Sequence, residues 1–251
     1  MKIICTLLFA TLVTSAAGAV TEPIDTAAQK ADLRADNWDF SALNGSRGKN
    51  NTRFKVDFVS HAAFGWCTGT GAPEALDFRM GKSIEFSGDL VNLRYHLKNP
   101  RHSFSLGFGA GVRRYDLGRS TRLVTDGDGE VVPTAFPDNV RPKHSRLTVY
   151  SLRLPLHYSY RMTGDWYLNA SAALSFNLRG RSAAKSAYRT ENREVKETFR
   201  HLPVNRVSAD FTAGISYDFI GLYVRYNPCR MFEKGKGPEF THLSVGLTLF
   251  Y

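Results

Sequence analysis

Apolar and polar residues alternate with a period of two along most of the chain after residue 53, which predicts strands with one apolar face rather than helices. The pattern is clearest at the end. There Leu243, Val245, Leu247, Leu249 and Tyr251 alternate with His242, Ser244, Gly246, Thr248 and Phe250, preceded by Leu222, Val224 and Tyr226 against Tyr223 and Arg225. Earlier strands are predicted over residues 53–66, 84–97, 103–112, 151–160, 166–179 and 206–215, making eight in all. The apolar parity of the second slips near Gly88, as at a β-bulge, and Pro155 is an awkward residue inside the fourth.

Connection lengths alternate as regularly as the side chains. Tight turns follow the second, fourth and sixth strands; long or intermediate segments follow the others, including polar stretches at 116–145 and 180–203. An even number of strands with short turns at one end and long loops at the other predicts an all-β, eight-stranded antiparallel transmembrane β-barrel of the outer-membrane type. A soluble lipocalin-like barrel also has eight strands, but with an apolar interior. Here arginine, aspartate and asparagine share the face that carries glycine and serine, which suits a narrow lumen filled by side chains. Leucine, phenylalanine and tyrosine take the other face, with Phe54, Trp66, Tyr160, Trp166, Tyr226 and Tyr251 near strand ends, as interfacial girdles require. A soluble domain would seldom end on so bare an apolar strand.

The N-terminus reads as a secretory signal over residues 1–19. Lys2 supplies the positive end, Ile3 begins the apolar core, and Ala17-Gly18-Ala19 makes the small-residue cleavage site. Residues 20–50 read as a flexible periplasmic segment and 51–251 as the barrel, with both termini in the periplasm and the long loops outside. Mean hydropathy is −0.28, a value that alternating strands make uninformative. A net charge of +10 favours phosphate-rich partners. Behind a secretory signal, nucleic acid is not expected, and outer-membrane lipid and lipopolysaccharide are the expected counter-charge of a monomer.

From residue 53 to its end the chain resembles the PorT-like family of small outer-membrane β-barrels of Bacteroidota. The residues that carry the likeness are Ser151-Leu152-Arg153-Leu154-Pro155-Leu156, Leu222-Tyr223-Val224-Arg225-Tyr226 and Phe232-Glu233-Lys234-Gly235-Lys236-Gly237-Pro238-Glu239 before the final strand. Arg153, His157 and Tyr251 depart from the family's commoner residues. The resemblance implies fold and location and accommodates Pro155; it carries over no catalytic residue.

Candidate chemistry is sparse. Cys67 and Cys229 fall beyond the first and seventh strands, at one rim of a closed barrel, and are the candidate disulfide; two separate thiols are the alternative. Lys55, Asp57, Arg94, Arg153, His157, Asp210 and Arg225 are placed on the lumen face, where buried charges must pair. They form either a shape-fixing plug or the lining of a narrow pore. Asp126-Gly127-Asp128-Gly129-Glu130 lacks the spacing of a calcium hand and reads as a turn. His157 with Ser159 shares a strand face, but no nucleophile–base signature accompanies it. No cofactor, metal or catalytic residue is assigned. The expected role is non-enzymatic, structural or surface-interacting; the alternatives are a lipid A-modifying enzyme and a component of a secretion or transport assembly. The loop cations, among them Arg119, Arg122, Arg141, Lys143, Arg146, Lys185, Arg189 and Arg193, are either solvated or a grip on lipopolysaccharide phosphates or on a partner protein.

Overall fold

The structure, a computed structural model, describes residues 54–250 apart from 98, 100, 128, 138 and 192; the expected signal sequence and the 20–50 segment lie outside the described residues. The strands are β1 Phe54–Thr70, β2 Ile84–His96, β3 His102–Asp116, β4 Thr121–Thr125, β5 Val131–Ala135, β6 Arg141–Arg161, β7 Trp166–Asn177, β8 Ala183–Arg189, β9 Glu194–Arg200, β10 Val207–Tyr217, β11 Ile220–Asn227 and β12 Thr241–Phe250. Eight of them pair in the order β3-β2-β1-β12-β11-β10-β7-β6, and β6 pairs back onto β3. Every ladder is antiparallel, and the first and last described strands meet where β1 lies against β12, Trp66 opposite Val245. The result is a closed eight-stranded barrel, as the alternation predicts.

The faces are as expected. Along β7 and β11 every second residue is exposed, and Leu168, Leu174, Leu222 and Val224 are 49–61% accessible on the outside. Ala173, Ser175, Tyr223 and Arg225 point in and are buried. No ordinary water-facing surface carries a continuous apolar belt of this extent. On β6 the belt runs from Tyr150 to Tyr160. At roughly 3.3 Å per residue and a tilt of about 40°, that stretch stands about 25 Å tall, the height of a bilayer-spanning band.

The bulge near Gly88 appears two residues later. Pairing skips Leu90 between Asp89 and Val91 on the β3 side, and β1 carries a matching shift between Phe58 and His61. Pro155 sits in a central strand with its ring inward. Register continues on both sides of it, but no β3 partner is paired between Arg153 and Leu156, so its missing N–H falls at a gap in that ladder. Gly107 makes room opposite: a Cβ there would come within 3.0 Å of Pro155 Cγ and would collide with the Asn92 side chain.

The long polar stretches are where the sequence reading is corrected. Residues 116–145 were expected as loop, yet they hold the β4–β5 hairpin and the first residues of β6, which begins at Arg141. Residues 180–203 hold the β8–β9 hairpin, and β8 pairs with the projecting part of β6 to extend the barrel wall beyond the belt. The β4–β5 hairpin escapes a hydrophobic-period test because its strands are only five residues long, and β8 because its packed face is built from alanine and serine.

Inside the long-loop end lies a compact apolar core. Tyr115, Leu117, Leu147, Leu202, Val204 and Phe232 are each at most 2% exposed and pack with Leu123, Val131 and Phe240. Backbone hydrogen bonds tie the segments together, Val131 N–H to Lys236 O at 3.1 Å and Glu233 N–H to Pro203 O at 2.9 Å. This core caps one end of the lumen.

Candidate functional site: the filled lumen and a basic face beyond the belt

Three arginines and two carboxylates fill the lumen below the cap. Glu85 on β2 and Asp210 on β10 are at most 1% exposed. Arg113 on β3 bridges them, its Nε 3.0 Å from Glu85 Oε2 and its Nη2 2.5 Å from Asp210 Oδ1. Arg225 on β11 pairs with Glu85 Oε1 and also donates to Thr212 Oγ1 at 3.0 Å. Arg153 on β6 lies 3.8 Å from Asp210 Oδ2. Neutral donors complete the two acids: Ser175 Oγ at 2.6 Å and Asn227 Nδ2 at 2.7 Å on Asp210, and Tyr223 and Ser244 hydroxyls on Glu85. His242 Nε2 sits 2.7 Å from Glu85 Oε2, and its Nδ1 meets Tyr115 OH at 2.7 Å. Seven of the barrel's strands contribute, so the network cross-links the wall through its centre.

A second cluster lies nearer the short-turn end. Asp89 on β2 is 2.7 Å from His157 Nε2 and 3.4 Å from His61 Nδ1. The two imidazoles line a cavity of ≈ 30 Å³ together with Ser159, Asn169, Thr212, Arg225 and Thr248. Ser159 Oγ donates to Asn169 Oδ1 at 2.7 Å rather than to His157.

The seven residues assigned to the lumen face therefore divide. Arg153, Asp210 and Arg225 meet in the central network; His157 belongs to the second cluster. Lys55, Asp57 and Arg94 form a separate group near the short-turn end, with Asp57 2.9 Å from Lys55 Nζ and 3.3 Å from Arg94 Nε. Lys55 is 65% exposed there and is not part of any buried plug. Glu85, Asp89, Arg113, His61 and His242 were not singled out. Arg113 and Glu85 were within reach, since each continues the inward parity of its strand; His61 and Asp89 sit beside the paired bulges, where parity counting fails.

The candidate disulfide is absent from this structure, and both thiols are free. Cys67 points into the apolar cap, whereas Cys229 Sγ accepts from Ala209 N–H of β10 at 3.5 Å. Cys229 Sγ thus faces β10, and β12 and β11 stand between β10 and β1, which carries Cys67. The stretch from Asp126 to Glu130 closes the β4–β5 hairpin, Asp126 N–H bonding Glu130 O at 2.8 Å; Asp128 lies outside the described residues.

Beyond the belt, the outward face of the β6–β8–β9 sheet is basic. Arg141 is paired directly opposite Arg189, and Arg146 opposite Lys185; Lys196 and Arg200 continue the face on β9. Like charges set across a ladder repel; Glu194, 2.5 Å from Lys143 and paired across from Arg189, and Asp116, 3.5 Å from Arg146, relieve them in part. Among the described residues Arg141, Lys185 and Arg200 have no carboxylate within ion-pair distance, and Arg189 has Glu194 across the β8–β9 ladder but not within that distance. Burial first, and Arg146 beside it, hold His144 on the same face below the ordinary imidazole value. The opposite face of this sheet is packed, Leu147 and Ala184 joining the apolar cap and Glu197 taking Arg122 at 2.5 Å.

No family model matches the chain, and no curated protein does. Among solved structures it is similar to Neisserial surface protein A, at 15% identity over 81% of this chain and 100% of that one, with a TM-score of 0.34. It is also similar to Ail, the attachment invasion locus protein of Yersinia pestis, at 9% identity over 79% and 97%, with a TM-score of 0.31. The fold rests on the strand pairings themselves.

Proposed function

We propose that this chain is a non-enzymatic outer-membrane barrel with a closed lumen, whose projecting β6–β8–β9 sheet grips lipopolysaccharide phosphates at the outer leaflet. The supporting observation is a single strand. The outward face of β6 carries Leu156, Leu154, Leu152 and Tyr150 and then changes to Arg146 and Arg141, each paired across from another cation. Arg146 is shared with Asp116, but Arg141 has no carboxylate partner among the described residues, and cations fixed just above a lipid belt are placed where phosphates of the surrounding lipid lie. The termini then face the periplasm, in keeping with the resemblance to PorT-like barrels.

The test compares wild type with the double variant Arg141→Ser/Arg189→Ser in phosphatidylcholine nanodiscs titrated with lipid A. Each cation near an anionic surface contributes about 1 kcal/mol, so the variant should bind lipid A about thirtyfold more weakly. Raising the salt should narrow that difference. Equal affinity of variant and wild type would overturn the proposal.

A further inference from the structure

The central network balances its carboxylates with arginine, but Asp89 is handled differently. It is 1% exposed, and its ion-pair partners among the described residues are two imidazoles, both directed at Oδ2. The nearest donor atoms of His61, Asp89 and His157 all lie within 4.8 Å of one another. Two nitrogens and one carboxylate oxygen converging on one point form a ligand set suited to zinc-like ions.

The distances support this reading. Ligands about 2.05 Å from a tetrahedral ion lie about 3.3 Å apart, and His61 Nδ1 is 3.4 Å from Asp89 Oδ2. His157 Nε2, at 2.7 Å, would open by roughly 0.6 Å to admit the ion. Two imidazoles on such an ion would have ring centres about 5.2 Å apart; here they are 5.0 Å apart and tilted by 52°. His61 is also held from behind, its Nε2 2.8 Å from Thr248 Oγ1, the kind of contact that fixes a ligand's orientation and tautomer. The cavity of ≈ 30 Å³ beside both rings has room for a water as fourth ligand. Its wall includes Ser159, Asn169 and Thr248, which lie near the short turns, so ions would enter from that end; the apolar cap closes the other. Arg225 also borders the cavity, but Glu85 compensates its charge.

We infer that His61, Asp89 and His157 form a lumenal binding site for a borderline divalent transition ion of the Zn²⁺ class, with water completing a four-coordinate shell. Magnesium and calcium, which take six or more oxygens, do not fit two imidazoles.

The test uses the full chain without an affinity tag, folded in detergent, stripped with chelator and titrated with Co²⁺. The expected result is one Co²⁺ per chain with the intense visible bands of a four-coordinate ion, displaced by Zn²⁺. His157→Gln and His61→Gln should abolish the bands, whereas His201→Gln, outside the cluster, should keep them. Thr248→Val should weaken binding about 10- to 100-fold. Barrel folding is checked in each variant by heat-dependent gel mobility. X-ray absorption at the zinc edge on wild type alone should count two imidazoles. No binding, a six-coordinate spectrum, fewer than two imidazoles, or bands unchanged in folded His157→Gln would each overturn the assignment, leaving Asp89 and its histidines as a proton-sharing cluster.

Discussion

Replacing Glu85 by glutamine keeps the side chain's shape and removes one charge from the centre of the lumen. In the folded barrel three arginines would then face Asp210 alone. Arg113 keeps its 2.5 Å pair with Asp210. Arg225 keeps only neutral partners, among them Thr212 Oγ1 at 3.0 Å, Ser87 Oγ at 3.2 Å and the face of the Tyr223 ring 5.0 Å away, and loses its paired carboxylate. Orphaning one partner of a buried pair costs about 3–5 kcal/mol, which is the expected loss for Glu85→Gln. Removing the orphan should restore most of it, so Glu85→Gln/Arg225→Met should be less destabilised than the sum of its single variants by about 2 kcal/mol or more. The assay is reversible urea unfolding in phospholipid vesicles, followed by the fluorescence of Trp66 and Trp166, which face outward at 44% and 46% exposure. A loss below about 1 kcal/mol, or strictly additive single and double variants, would refute the claim that this network fixes the barrel.

Leu154, on the outward face of β6 near mid-belt, should not tolerate charge: Leu154→Arg is expected to cost about 2–4 kcal/mol in vesicles and little in loop-free controls such as a substitution at exposed Lys196. Phe232→Ala should remove about 3–5 kcal/mol by hollowing the apolar cap, read as a lower urea midpoint with an unchanged slope. His144 should titrate below the ordinary imidazole value, because folding disfavours its charged form. Its contribution to stability is therefore present at neutral pH and is lost as pH falls through that range. Proton NMR of its ring should show the midpoint rising when lipid A is added, and no movement would argue against phosphates at this face.

What the sequence disclosed tracks how strongly one face of each strand was forced to be apolar. Strands that meet lipid on one side and a crowded lumen on the other advertise their period, and all eight barrel strands were legible from it. β8 and β9 meet neither. Lys185 and Arg189 face out while Ala184, Ser186 and Ala187 are buried, and small residues suffice for a layer that only has to lie flat on the cap. The lumen was half legible for a related reason. Arg153, Asp210 and Arg225 lie on stretches of strand whose parity is unbroken. Asp89 and His61 adjoin bulges that reset the count, so the cluster they form with His157 becomes visible only once β1, β2 and β6 are folded against one another. Spacing along the chain placed Cys67 and Cys229 at one rim but not the direction of either side chain: Cys67 points into the apolar cap and Cys229 rests on Ala209 of β10.

The 21 residues of β6 explain why these parts belong together. A tilted strand needs only about 9–11 residues to cross a bilayer, so roughly the first half of β6 extends beyond the belt as an unbroken part of the barrel wall. Its position is set by the same hydrogen-bond ladders that close the barrel, Val149 opposite Arg113 on β3 and Thr148 opposite Ala183 on β8. A basic face mounted on a separate loop would lose ordering entropy each time it met a phosphate. Mounted on β6, it is held in place before any lipid arrives, and the buried Arg113–Asp210–Glu85 cross-links resist shear of the wall beneath it. A filled lumen is thus consistent with a barrel whose work is done outside it, and it follows that loosening the plug should weaken lipid A binding even in variants that leave every cation of the β6–β8–β9 face untouched.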